Sequence, residues 1–273
     1  MARSNENSRQ SISVVTCTDL GRRRTNNEDS FLVLHLDDRS DHREPLNTVF
    51  ELGPSGLVLA VADGMGGHQS GEVASGLCMV ALTKVLLGLA AAASTLDETS
   101  QDILCRAVEA ANETVYTLAQ ERPEFRGMGT TLTAALLRGA YLDIAQVGDS
   151  RAYLLRERRL TQLTEDQTVG NLLLPEQGVQ MSEQVKDMLT QAVGAQPKVK
   201  VALTGTALES GDLILICCDG LYKVVNADEI TEILLLPVSL RAKAEGLVSR
   251  ANENGGPDNI SVVLAEIRKS DGL

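Results

Sequence analysis

Short, fully apolar runs separated by polar turns dominate the chain. Leu57-Val58-Leu59-Ala60-Val61-Ala62 and Leu213-Ile214-Leu215-Ile216-Cys217-Cys218 contain no charged or strongly polar residue. Continuous apolar runs of this length, bounded by turn residues, predict strands buried on both faces. Each stops at an Asp-Gly pair, Asp63-Gly64 and Asp219-Gly220. Further strands are predicted over 12–18, 30–36, 130–137, 141–147, 151–156, 199–203 and 260–267, where β-branched or alternating residues recur. Residues 37–46 are polar and charged and read as a loop between two strands. Two segments carry the helical period instead, 71–93 and 102–120. In the second, Ile103, Leu104, Ala107, Val108, Ala111, Val115 and Leu118 fall on one face. Thr99, Ser100 and Asp102 offer its cap. A third helix is predicted near 239–252, and a short helical piece near 182–189 inside a mixed stretch, 168–193. The apolar stretch 77–93 holds Thr83 and Lys84 and is short for a membrane span, so it reads as a core helix.

The order is strands, two helices, many strands, a helix and a last strand. It lacks the regular alternation of a doubly wound sheet and predicts an α+β domain, antiparallel sheets covered by helices. The 273 residues suit one large β-rich domain over 11–269, between polar tails at 1–10 and 270–273. The first ten residues carry no apolar signal core and read as a flexible tail. With no Trp and three Phe, the core must be aliphatic. A net charge of −12, from 25 basic and 37 acidic side chains, argues against non-specific nucleic-acid binding. The five cysteines are odd in number and form no CxxC pair, which points to a reduced, cytoplasmic protein without a disulfide framework. A monomer with no membrane segment is expected.

The candidate chemistry sits at the strand ends. Asp63 and Asp219 close the two apolar runs, and Asp258 lies in the turn ahead of the last strand. Glu28 and Asp29 follow Arg22-Arg23-Arg24, and Asp149 lies in Gly148-Asp149-Ser150-Arg151. Carboxylates at the mouths of buried strands form rigid sites for hard divalent cations. The glycines after Asp63 let the backbone approach a ligand, so the Asp63 carboxylate and the Gly64 carbonyl can serve one metal. Other phosphate chemistries lack their signatures. There is no GxGxxG or GxxxxGK[ST], and Ser150 sits in no nucleophile elbow. Asp219-Gly220-Leu221 lacks the second Asp of an aspartyl phosphotransferase. Of three histidines, only His68 lies near the candidate ligands. A carboxylate-only set selects Mg2+ or Mn2+ over zinc. Two such ions can bridge a water and lower its pKa toward neutrality, and the hydroxide would attack phosphorus in line. An arginine fork holds phosphate oxygens in two-point contact. Singly, the run at 22–29 reads better as a solvated charged turn and 148–151 as a hairpin turn.

Together these residues resemble the type 2C metal-dependent protein Ser/Thr phosphatases, the PPM family, in their bacterial form. The resemblance rests on Thr18-Asp19-Leu20-Gly21 with Arg24-Thr25-Asn26-Asn27-Glu28-Asp29-Ser30-Phe31, and on Val61-Ala62-Asp63-Gly64-Met65-Gly66-Gly67-His68. It continues through Met128-Gly129-Thr130-Thr131, Val147-Gly148-Asp149-Ser150-Arg151, Leu163-Thr164-Glu165-Asp166 and Leu189-Thr190-Gln191-Ala192-Val193-Gly194. Cys218-Asp219-Gly220-Leu221 and Gly256-Pro257-Asp258-Asn259-Ile260-Ser261 complete it, so the motifs span residues 16 to 267. The resemblance implies a four-layer α-β-β-α sandwich with a metal site at one end. It implies that Asp63 bridges two ions, with the Gly64 carbonyl, Asp219 and Asp258 completing the pair and Glu28 and Asp29 assisting. It gives Asp149 and Asp219 a third, weaker ion, and Arg24 the phosphate. The implied substrates are phosphorylated proteins, and the implied counterpart is a Ser/Thr kinase. Three departures stand out: Gln167 where relatives often carry His, a divergent flap near 168–190, and Met65 where eukaryotic members place a His. His68 is then the candidate general acid. A pseudophosphatase that only binds phosphoproteins, and a different metal-dependent phosphoesterase, are the alternatives.

Overall fold

A strand that is apolar on both faces must be covered on both, and the architecture meets that demand with two stacked sheets. The computed structural model describes residues 10–66, 70–92, 98–173 and 182–269. In chain order the first elements are β1 (Gln10–Asp19), β2 (Asp29–His35), β3 (Ser40–His42), β4 (Asn47–Glu51) and β5 (Leu57–Met65). Helices α1 (Ser70–Ala92) and α2 (Ser100–Glu121) come next, then a 3-10 turn at Pro123–Phe125. After it lie β6 (Gly129–Thr130), β7 (Leu132–Arg138), β8 (Tyr141–Val147), β9 (Arg151–Arg156) and β10 (Arg159–Gln162). Short helices α3 (Val169–Leu173) and α4 (Glu183–Lys186) precede β11 (Ala202–Ala207) and β12 (Leu213–Cys217). Then α5 (Asp219–Tyr222), α6 (Ala227–Leu235), α7 (Leu240–Glu253) and β13 (Ile260–Lys269) close the fold.

One sheet runs β10-β9-β12-β13-β1-β4. The other runs β11-β8-β7-β5-β2-β3, with β6 added to β5. Every strand pair is antiparallel. Alternate residues of each strand point to opposite faces, and the core divides accordingly. Phe31, Val33, Leu59 and Val61 of one sheet meet Ile12, Val14, Ile214 and Val263 of the other between the sheets. Leu32, Leu34, Val58 and Ala60 face α1 and α2. Leu213, Leu215, Val262 and Leu264 face α5, α6 and α7. The layers are thus α-β-β-α, as the resemblance implies. The vicinal cysteines obey the same alternation: Cys217 packs toward the helices and Cys218 toward the opposite sheet.

α1 is the one described helix long and apolar enough to cross a membrane by composition. It lies on the sheet instead, with Ala74, Cys78, Met79, Leu82 and Leu86 buried against it and against α2. α2 begins with a reciprocal capping box between Thr99 and Asp102.

Several boundaries differ from the pattern-based expectation. The 130–137 strand is split into β6 and β7. The 199–203 strand lies later, as β11, whose residues alternate between half-buried and exposed as befits a sheet edge. The 37–46 loop contains β3, a polar edge strand held by backbone pairing with β2 and not by apolar burial. The helical piece near 182–189 contracts to α4. β4, β10, α3, α5 and α6 are additions to the pattern-based set. α6 does carry a legible signal, an Asn226 cap with Glu229 reaching back, ahead of buried Ile230, Ile233 and Leu234. His68, the middle of the flap (174–181) and the tails 1–9 and 270–273 lie outside the described residues.

Candidate metal centre

Antiparallel register gathers the candidate residues at one end of the sandwich. Asp29 at the start of β2 pairs with Asp63 near the end of β5. β12 runs antiparallel to β13, with Cys217 opposite Val262. Asp219, just beyond β12, therefore meets the turn carrying Asp258 that leads into β13. Asp149 comes after β8 in the same direction.

Close backbone approach holds these turns together. A Cβ on Gly64 would lie 2.1 Å from the Gly71 carbonyl oxygen and 2.5 Å from that of Glu28. A Cβ on Gly220 would lie 1.9 Å from the Asn259 carbonyl oxygen. Only glycine fits at either position. The Gly64 amide donates to the Glu28 carbonyl (3.1 Å), and so does the Ser75 hydroxyl (2.6 Å). Asp63 is pinned through its backbone. Its amide donates to Thr131 Oγ1 (2.9 Å), and its carbonyl accepts from the Thr131 amide (2.9 Å) and the Thr130 hydroxyl (2.9 Å). With all backbone groups occupied, the Asp63 carboxylate is free to face the cleft.

Asn259 joins two turns that are far apart in sequence. Its Oδ1 accepts from the Glu28 amide (2.8 Å), and its Nδ2 donates to the carbonyls of Leu20 (3.0 Å) and Asn26 (3.0 Å). The segment carrying Arg24 and Glu28 is thereby held against Asp258. The Arg24 Nη2 donates to Asp258 Oδ2 at 2.6 Å.

A cleft of about 310 Å³ opens over this assembly. Arg24, Glu28, Asp63, Gly64, Asp149, Asp219 and Asp258 all line it, whereas Arg22 and Arg23 do not. Asp29 stands behind Asp63. Its two carboxylate oxygens are sealed from solvent and have no hydrogen-bond partner among the described residues, and the same holds for Asp219 Oδ1. One carboxylate oxygen each from Asp29 and Asp63 and the Cys218 sulfur lie within 4.8 Å of one another.

The electrostatics reflect burial and crowding. Burial, reinforced by Asp219 and Asp258, pushes Asp29 up to about 7. Burial and the neighbouring Asp29 and Asp219 raise Asp63 well above the usual carboxylate range. Burial, with Asp219 beside it, lifts Asp149 to about 6, against the pull of Lys223. Burial raises the Cys218 thiol too, which keeps it protonated and inert. Packing so many carboxylates together is unfavourable unless cations neutralise them. Buried acceptor oxygens without partners and an all-oxygen donor set fit hard ions such as Mg2+ or Mn2+.

Lys223 and Asp187, which sequence reasoning missed, complete the walls, while Tyr222, Arg151, Asp166 and Gln167 stand outside the cleft lining. Lys223 Nζ pairs with Asp219 Oδ2 (2.8 Å) and with Asp187 Oδ2 (3.2 Å). Tyr222 donates its hydroxyl to Asp149 Oδ2 (3.2 Å). The Arg151 guanidinium lies 3.6 Å from the centroid of the Tyr222 ring, and Arg151 grips Asp166 through two nitrogens (Nε–Oδ1 2.9 Å, Nη2–Oδ2 2.6 Å). Gln167, one of the three departures noted in the sequence, accepts from the Gly148 amide through Oε1 (2.8 Å) and steadies the Asp149 turn. Of these, Lys223 had a readable cue, its position four residues after Asp219 at a helix start.

With this geometry in view, the comparisons with known proteins are specific. The protein phosphatase 2C family profile matches residues 47–261. The chain is 35% identical over 246 residues to the serine/threonine phosphatase stp of Listeria monocytogenes, covering 85% of this chain and 96% of that protein. It is 32% identical over 262 residues to the protein phosphatase PhpP of Streptococcus pneumoniae, covering 93% and 97%. Its fold is similar to the catalytic domain of the serine/threonine phosphatase PstP, whose structure contains two manganese ions. The TM-score is 0.75 at 33% identity, over 95% of this chain and 99% of that one. The chain belongs to the protein phosphatase 2C family and is a metal-dependent protein serine/threonine phosphatase of the bacterial type.

Proposed function

We propose that Asp63, the Gly64 carbonyl, Asp219 and Asp258 hold two Mg2+ or Mn2+ ions, with Glu28 and Asp29 supporting them, and that Arg24 receives the phosphate of a phosphoserine or phosphothreonine side chain. The observation that carries this assignment is the convergence of these carboxylates on one cleft that Arg24 also lines. When bound, such ions supply a low-pKa water and neutralise developing charge on phosphate. The chain's own residues do the rest. Arg24, half exposed at the rim, presents its planar fork to phosphate oxygens when it swings from Asp258. Asn259 keeps Arg24 and Glu28 in register with Asp258. Asp29 adds negative charge behind Asp63 and strengthens its hold on a cation. His68 is the candidate proton donor to the leaving hydroxyl.

The working unit is one catalytic domain over 11–269, acting as a cytoplasmic monomer that opposes a Ser/Thr kinase. The test is Mn2+-supported hydrolysis of a phosphothreonine peptide by the wild-type chain and Asp63→Asn. The substitution keeps the shape but removes the charge, and activity is expected to fall by about 10³-fold or more, since the whole metal contribution is at stake. Equal rates in the two proteins would refute the assignment. Tight phosphopeptide binding without turnover in saturating Mn2+ would instead favour a pseudophosphatase.

A further inference from the structure

Asp219, one of the acid pair Asp149 and Asp219, already has a cation. Lys223 caps α5, and the single helical turn between it and Asp219 brings its ammonium back over that carboxylate, 2.8 Å from Oδ2. Asp219 is thereby divided. Its Oδ1 is buried without a partner among the described residues, while Oδ2 belongs to Lys223. Asp149, 5% exposed, has its Oδ2 engaged by the Tyr222 hydroxyl. Tyr222 is itself held by Arg151, which Asp166 fixes. On the other wall Asp187, at the end of α4, pairs with the same ammonium. Lys223, Asp149, Asp187 and Asp219 all line the one cleft. A divalent ion shared by Asp149 and Asp219 would need the lone pairs of Asp219 Oδ2 that Lys223 covers, and would stand beside a like charge.

We propose that Lys223 is a tethered cation that, by occupying Asp219 Oδ2, takes the place of a third metal ion shared by Asp219 and Asp149, and that it ties the base of the flap, through Asp187, to the metal centre. The chain then operates with two ions, and the flap is coupled to the site by charge. This inference rests on the assignment of Asp219 and Asp149 to a metal centre given above.

The test counts ions without relying on turnover. Mn2+ binding is measured on the full chain by calorimetry and by the electron paramagnetic resonance signal of free Mn2+. The proteins are wild type, Lys223→Met, Lys223→Arg and the double variant Lys223→Met/Asp149→Asn, each checked for folding by circular dichroism. Two ions are expected on wild type and on Lys223→Arg, which keeps the charge. Lys223→Met is expected to gain a third, bound at least about tenfold more tightly than any weak third event in wild type, because a like charge has been removed at contact distance. The double variant returns to two. An equal count bound with equal affinity in wild type and Lys223→Met, whether two or three, overturns the inference. A wild-type chain that binds no Mn2+ sinks the metal-centre assignment itself, a distinct result.

Discussion

Replacing Asn259 with alanine isolates the contribution of the long-range latch. The side chain is 4% exposed and makes three hydrogen bonds, one to the Glu28 amide and two to the Leu20 and Asn26 carbonyls. Each such bond contributes about 1 kcal/mol net, and a buried group left without its partner costs about 1–3 kcal/mol. The affected turn is part-buried, so water re-solvates some of the orphaned groups, and a loss of roughly 2–3 kcal/mol is expected. For a chain of this size that corresponds to a fall in Tm of roughly 5–10 °C. The effect on catalysis should be comparable in free energy to the effect on folding. Glu28 and Arg24 lose their fixed distance to Asp258, and misplacement of about 1 Å costs on the order of 10²-fold in rate. Asn259 touches neither phosphate nor ion in this arrangement, so Mn2+ titration should show weakened ion binding together with a lower kcat. Thermal denaturation, Mn2+ dependence and phosphopeptide kinetics check the three parts. An Asn259→Ala protein with unchanged Tm and kcat/KM within about twofold of wild type would refute the latch.

Two other substitutions test neighbouring features. Gly220→Ala pushes a methyl group into the Asn259 carbonyl, a backbone atom that cannot rotate away, so α5 must shift and carry Asp219 with it. Soluble protein with a lower Tm and kcat/KM reduced by about 10²-fold or more is expected, and wild-type kinetics would show that the 219–259 contact is unimportant. Arg24→Lys keeps the charge but loses the two-point fork, so KM for phosphopeptide should rise and kcat/KM fall by about 1.5–3 kcal/mol, the range for a hydrogen bond to a charged group. Full activity in Arg24→Lys would move the phosphate-binding role to another residue.

How much of this was legible in the sequence depended on distance. The central strands were readable because burial on both faces leaves an unbroken apolar run, as in 57–62 and 213–218. The polar edge strand β3 had no such mark, because pairing with β2 holds it where side chains do not. Asp63, Asp149, Asp219 and Asp258 were readable one by one, since each closes a strand or sits in a glycine turn, and Glu28 and Asp29 by their place beside Arg24. Their mutual geometry was not. Asn259 acts on Glu28 across 231 positions, and Tyr222 reaches Asp149 across 73. No local pattern encodes a hydrogen bond of that span; it exists only once antiparallel register has brought the strand ends together. Lys223 was hidden differently. Four residues from an acid at a helix start, it reads as an ordinary surface ion pair of small energetic weight. Only the second contact, to Asp187, and its place in the cleft distinguish it.

The two strand-ending Asp-Gly pairs illustrate how one local motif acquires two roles. After β5's apolar run the strand continues past Asp63 to Met65, so Asp63 is fixed by ladder and threonine contacts through its backbone, and among the described residues no base forms an ion pair with its carboxylate. After β12 the chain turns into α5, so Asp219 opens a helical turn, and the residue one turn later, Lys223, is a base that reaches back to it. In the proposed site Asp63 would give both oxygens to cations from outside and Asp219 only one, because Lys223 already neutralises the other. The difference arises from the conformation of the chain beyond the glycine, a continued strand in one case and a helix in the other. It predicts that the charge on residue 223 sets how many ions the site holds.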